Sequence, residues 1–156
     1  MQGILFVCLG NICRSPTAQG IFEYKLRQAS LTLELDSAGT GDWHIGRPPD
    51  PRSQDFARRF GVDLSGQRAR LVTPADFQRF DRIYAMDRSN LADLQAMAPV
   101  RARARVDLIM RLAPDYGLEE VPDPYYGGDR GFEQVIDMLS VAADRLIEEL
   151  KRRPGR

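Results

Sequence analysis

Two cysteines, one histidine and one tryptophan are all that 156 residues provide of those types. Cys8 and Cys13 fall in one short stretch, unlike the dispersed pairs that staple a small secreted domain. With His44 alone and no Cys/His/Asp/Glu cluster at ligand spacing, no metal is expected, and no cofactor either. An excess of one charge is also missing. The 22 basic residues balance 22 acidic ones, so no global field favours nucleic acid or an acidic membrane. Nearly all the basic residues are arginine; Lys25 and Lys151 are the exceptions. No apolar run is long enough to insert into a membrane, and the N-terminus lacks the basic lead-in of a signal peptide. Repeats, low-complexity tracts and linkers are absent, so residues 1–156 read as a single domain able to bury a full core. The expected setting is a reducing cytoplasm and the expected state a monomer.

What is present concentrates at the start. Gly3-Ile4-Leu5-Phe6-Val7 is an apolar run suited to one buried strand. It delivers Cys8, and Leu9-Gly10-Asn11-Ile12-Cys13-Arg14 then turns the chain towards Ser15-Pro16-Thr17. Ser15 is read as a helix N-cap, with Pro16 at the first helical position, where its missing N–H costs nothing. Gly10 suits a close backbone approach and Asn11 tolerates left-handed geometry. Strand, loop and helix together make an anion cradle from backbone amides and a helix N-terminus. Arg14 adds a planar two-pronged donor suited to a phosphoryl group. The same positive partial charges stabilise a sulfur anion at Cys8, so a nucleophile and an oxyanion site share one loop.

The remaining elements follow from periodicity and caps. A helix is predicted over 16–29, with Ile21, Phe22, Leu26 and Ala29 inward, then a strand over 31–35. That strand runs into a glycine-rich turn holding Ser37, and residues 41–50 form a loop carrying Trp43 and His44. Trp43 by itself reads as a local anchor and His44 as structural or exposed. Asp50-Pro51 opens a helix that ends near Phe60-Gly61, and Thr73-Pro74-Ala75-Asp76 opens a shorter one. Strands are predicted over 82–86, ending at Asp87, and over 106–110; helices over 88–98 and 131–152. Asp123 lies between Pro122 and Pro124 in a long loop over 113–129. Alternating strands and helices predict an open parallel α/β sheet of flavodoxin-like type, with helices on both faces. Ligands then bind outside the carboxyl ends of the strands, where the strand order switches. Cys8, Ser37 and Asp87 all follow strands at that edge, and the Asp123 loop can reach it.

Val7-Cys8-Leu9-Gly10-Asn11-Ile12-Cys13-Arg14-Ser15-Pro16 resembles the phosphate-binding loop of the low-molecular-weight protein tyrosine phosphatases. The similarity continues through Ser37-Ala38-Gly39, Gly41-Asp42-Trp43, Asp50-Pro51-Arg52, Ala85-Met86-Asp87 with Ser89-Asn90-Leu91, and Asp123-Pro124-Tyr125-Tyr126-Gly127. The resemblance implies a four-stranded sheet of order 2-1-3-4 and hydrolysis of protein phosphotyrosine through a phosphocysteine on Cys8. It implies that Leu9, Gly10, Asn11, Ile12, Cys13 and Arg14 hold the phosphate oxygens and that Ser15 hydrogen-bonds the sulfur. Ser37 is then expected to bond Asn11, Asp87 to support the site, and Asp123 to serve as general acid and base. Trp43, Tyr125 and Tyr126 are expected to wall an aryl-sized cleft, too deep for the shorter phosphoserine and phosphothreonine esters. Cys13 is expected to capture an oxidised Cys8. One departure stands out: many members carry a histidine that supports the loop serine where this chain has Gln67. Two other readings are an arsenate reductase of the same fold and a non-catalytic phosphotyrosine-binding or redox-sensing module. The first uses further cysteines, absent beyond Cys13, and the second has no need of Asp123.

Overall fold

In the computed structural model, residues 1–125 and 127–152 are described. Strand β1 (Gly3–Cys8) is buried along its whole length and lies inside the sheet. It pairs in parallel with β2 (Glu34–Gly39) on one side and β3 (Arg82–Ala85) on the other, and β4 (Arg105–Leu108) extends the β3 edge. The strand order is therefore β2-β1-β3-β4. Helices α1 (Arg14–Gln28), α2 (Pro51–Arg59), α3 (Asp76–Arg79), α4 (Arg88–Met97) and α5 (Asp129–Lys151) connect and cover the strands.

The apolar run of β1 is continuous because both of its faces are covered. Ile4, Phe6 and Cys8 join Ile21 and Phe22 of α1 and Val135, Leu139 and Leu146 of α5 in one cluster. Leu5 and Val7 point the other way, into a cluster with Phe77, Phe80 and Leu94. Each such valine, leucine, isoleucine or phenylalanine contributes roughly 1.5–3 kcal/mol on burial. The largest predicted helix, α5, buries Phe132, Val135, Leu139, Ala143 and Leu146 as its period required.

Register brings the carboxyl ends level: Cys8 pairs with Gly39, and Val7 with both Ala38 and Ala85. The chain leaves β1 for β2 on one side and reaches β3 on the other, so the loop after Cys8 sits at the switch in strand order.

Several boundaries differ from the local reading. The second strand is Glu34–Gly39 rather than 31–35, for two reasons. Ser30 adopts a left-handed φ of 59°, and the Leu31 N–H closes α1 on the Leu26 carbonyl, so Leu31 belongs to the helix end. Pairing then begins only where β1 begins, at Gly3 with Glu34, and runs on to Gly39. The fourth strand stops at Leu108, and a 3₁₀ turn follows over Ile109–Leu112. By contrast the Asp50-Pro51 start is as expected: Asp50 accepts the Arg52 N–H at 2.8 Å, and Pro51 opens α2.

Candidate active site

The loop after β1 begins with the Cys8 Sγ, which receives the Asn11 N–H at 3.3 Å and lies 3.0 Å from Ser15 Oγ. Asn11 sits in the left-handed region at φ 57°, the geometry asparagine tolerates best after glycine. Its amide nitrogen donates to Ser15 Oγ at 2.8 Å and to Ser37 Oγ at 3.0 Å, while its oxygen accepts the Arg70 N–H at 2.9 Å. Gly39 permits this closeness, since a Cβ there would meet the Leu9 carbonyl oxygen at 2.7 Å. The N–H groups of Gly10, Ile12 and Cys13 donate to no protein acceptor among the described residues. Unpaired amides at a helix N-terminus are what an oxyanion needs.

Ser15 does not cap α1, contrary to the expectation from sequence. The helix starts at Arg14, with Cys13 before it and no side-chain cap. The Ser15 hydroxyl is turned instead towards Cys8, Asn11 and, at 3.4 Å, the Ala38 carbonyl of β2, so its partners lie in the loop and at the sheet edge rather than along the helix. Nor is it backbone that crowds Gly10: a Cβ there would come within 2.9 Å of the His44 ring.

Gln67 enters the same network from behind. Its Nε2 donates to the Pro16 carbonyl at 3.0 Å, and its Oε1 accepts from Ser37 Oγ at 3.4 Å. The amide therefore touches both the helix start and the serine that holds Asn11.

Arg14 closes the loop. It is buried, and its Nη1 donates to Asp87 Oδ2 at 2.7 Å and to the Val121 carbonyl at 2.9 Å. Burial works against its charge, but facing Cys8, Asp87 and Asp123 raises its pKa above that of an ordinary guanidinium. Asp87 also accepts the Asn90 N–H at 2.8 Å, so its carboxylate caps α4 as well as fixing Arg14. Asp123 comes 3.7 Å from Arg14 Nη2 and accepts the Tyr125 N–H at 3.0 Å, with its side chain 39% exposed.

Cys8, Arg14 and Asp123 line one cavity of about 350 Å³, together with Leu9, Ile12, Trp43, His44 and Tyr125. Trp43 is 68% exposed, and its ring lies over Gly41, leaving no room for a Cβ there. Tyr126, the third expected wall, lies outside the described residues. His44 is the residue local reasoning undervalued: it lines the cavity, its ring centroid 6.4 Å from that of Tyr125. Its only sequence signal was its place beside Trp43. Cys13 also borders the cavity, and burial pushes its thiol up to about 12, partly opposed by a hydrogen bond with Ser53. Among the described residues no His, Cys, Asp or Glu group could hold a metal ion, and no helix is long and apolar enough to cross a membrane.

Fold and constellation together define an open α/β protein with an oxyanion-sized cradle at its topological switch point. A model of the low molecular weight phosphotyrosine protein phosphatase family matches residues 3–155. The chain is 39% identical over 154 residues to the low molecular weight protein-tyrosine-phosphatase YfkJ of Bacillus subtilis, covering 97% of each. A solved protein tyrosine phosphatase from Entamoeba histolytica superposes with TM-score 0.92 at 36% identity, covering 97% of this chain and 98% of that one. A Drosophila arginine phosphatase superposes with TM-score 0.91 at 31% identity, with the same coverage of 97% and 98%. The chain belongs to the low molecular weight phosphotyrosine protein phosphatase family and is accordingly a protein-tyrosine phosphatase.

Proposed function

We propose that residues 1–156 act as one catalytic domain that hydrolyses protein phosphotyrosine through a phosphocysteine intermediate on Cys8. The observation that carries this reading is the convergence of Cys8, Arg14 and Asp123 on one cavity. The Cys8 sulfur attacks phosphorus, and the phenolic oxygen leaves opposite it. Loop amides and the Arg14 guanidinium hold the non-bridging oxygens most tightly in the transition state. Tyrosine has a pKa of about 10, so its oxygen needs a proton as it departs, and Asp123 gives it. In the second step water attacks the phosphocysteine, Asp123 takes the water's proton, and the sulfur leaves as the anion. Ser15 Oγ, 3.0 Å from that sulfur, supports its negative charge.

The apolar lining from Leu9, Ile12, Trp43 and Tyr125 supports a flat aryl group, and Tyr126 is proposed as a further wall from its position in sequence. A second reading, phosphoarginine, is raised by the Drosophila arginine phosphatase. The exposed Asp123 carboxylate offers a guanidinium a partner, whereas the ring-sized apolar walls favour phenol. Phosphate release from matched phosphotyrosine, phosphoserine and phosphoarginine peptides decides, with acid-quenched mass spectrometry for phosphate on Cys8. Preference for phosphotyrosine with phospho-Cys8 is expected; turnover without a Cys8 adduct would overturn the mechanism.

The thiol chemistry fits the reducing cytoplasm, and catalysis by a monomer is part of the proposal, since every group invoked comes from one chain. Cys13 is proposed to capture Cys8 after peroxide oxidises it to the sulfenic acid, forming a disulfide and releasing water. Because its thiol is pushed up to about 12, capture is slow at neutral pH and depends on brief deprotonation. Mass spectrometry after limited peroxide tests this: a Cys8–Cys13 disulfide is expected, and sulfinic Cys8 with free Cys13 as the main product refutes it.

A further inference from the structure

Asp123 must be held where a substrate oxygen arrives, yet it stands on an exposed loop. On its N-terminal side the loop is anchored by the Val121 N–H on the Met86 carbonyl at 2.8 Å and by Arg14 on the Val121 carbonyl. On its C-terminal side the Tyr125 carbonyl accepts from Arg52 Nη2 at 2.9 Å. Arg52 is half exposed and takes no part in the core. Its guanidinium bonds Asp50 through Nε at 3.2 Å and Nη2 at 3.1 Å. Its carbon lies 5.5 Å from the Tyr125 ring centroid and 4.9 Å from that of Phe132. Phe132 is buried and stacked on Phe56 of α2, so the guanidinium rests on a fixed floor. Asp50 in turn gives its N–H to the Ile12 carbonyl at 2.8 Å, in the phosphate loop itself.

We propose that Arg52 is a positioning residue that clamps the Asp123 loop to the phosphate loop through Asp50 and Tyr125. The connection runs from the Ile12 carbonyl to Asp50, through its carboxylate to Arg52, to the Tyr125 carbonyl, and from the Tyr125 N–H to Asp123 Oδ1. It sets the acid against the nucleophile through protein atoms, before any substrate bridges them. An exposed ion pair alone contributes little, so the effect lies in the geometry imposed on the loop. The two-pronged, flat shape of arginine matters here: it bonds a carboxylate and a carbonyl while lying against two rings, which lysine cannot copy.

The inference rests on Asp123 being the acid, so the test carries Asp123→Asn beside Arg52→Ala and Arg52→Lys. Pre-steady-state formation of phosphocysteine is measured with a phosphotyrosine peptide and with p-nitrophenyl phosphate, whose acidic phenol leaves unaided. Vanadate affinity and hydrogen exchange over residues 122–131 are measured alongside. Arg52→Ala is expected to slow the phosphotyrosine step by about tenfold to a hundredfold and the p-nitrophenyl step by less than about threefold. Vanadate affinity should stay unchanged, exchange over 122–131 should rise, and Arg52→Lys should fall between. Equal losses on both substrates, or vanadate affinity falling in step, would overturn the clamp, as would unchanged exchange. Should Asp123→Asn itself show no dependence on leaving group, the acid assignment fails, and exchange alone still decides whether Arg52 holds the loop.

Discussion

From Cys8 to Ser15 every residue but Leu9 and Gly10 is buried, whereas from Gly117 to Gly128 only Val121 and Pro124 are buried among the described residues. The first segment is held from behind by a chain of side chains, Gln67 to Ser37 to Asn11 to Ser15 to Cys8. The second is held by a few backbone anchors, by Arg52 and Arg14, and by Arg88 on Glu119 and Glu120. The difference follows the tasks. An oxyanion cradle must keep its donors aimed before charge develops, and burial among satisfied partners keeps them so. An acid must meet solvent and substrate in turn to exchange its proton, so it stands on an open loop and is tethered rather than packed. Chemistry that depends on the phosphate loop should therefore be blind to the leaving group, and chemistry that depends on the acid loop should not be.

The largest expected effect belongs to the packed segment. Cys8→Ser should remove measurable turnover of every aryl phosphate while vanadate or phosphate still binds, because the amides and Arg14 remain. Binding is read by calorimetry and turnover by phosphate release. Hydrolysis near the wild-type rate would take Cys8 out of the mechanism.

Asp123→Asn should then lower phosphocysteine formation from phosphotyrosine by about 10²–10⁴ and spare an acidic phenol, since only the poor leaving group needs the proton. The first step has to be isolated in rapid-quench experiments, because loss of the base in the second step would mask the contrast. An equal loss on both substrates erases the distinction between the two loops and makes Asp87 the next acid to test. Its engagement by Arg14 and the α4 N-terminus counts against it.

The smallest effect probes the back of the phosphate loop. Gln67→Ala deletes a neutral hydrogen bond to Ser37 and another to Pro16, a change of about threefold to tenfold in turnover at most. The loss should be the same for all aryl phosphates, because Ser15 supports the sulfur that leaves the shared phosphocysteine. A loss that varied with the phenol would mean that the buried network also steers the acid loop.

Much of this arrangement was legible along the chain because its causes are local. A run of apolar residues specifies a strand covered on both faces. Asp50-Pro51 starts a helix with its own side chain, and the spacing of Phe132, Val135 and Leu139 writes the buried face of α5. Loop chemistry marked Cys8 and Arg14, the resemblance added Asp123, and the structure brings the three to one cavity. Local reading failed where a residue's partner is distant. Ser15 resembled a cap because it preceded proline, yet its hydroxyl had better acceptors and donors across the loop. The limits of β2 depend on where β1 begins and ends, and nothing between 31 and 39 records that.

The Asp50 cap, the buried first strand and the period of α5 therefore came from sequence alone, because each is decided within a helical turn or a short apolar run. Pairing came only with the tertiary structure. Arg14 meets Asp87 and Arg52 meets Tyr125, each across 73 positions, in a chain where nearly every basic residue is an arginine and acids are as numerous. Charge and residue type leave such matches degenerate; only the sheet register and the helices packed on it decide which guanidinium meets which acceptor, as they also do for Arg70 with Asp36 and Asp76 and for Arg82 with Glu149.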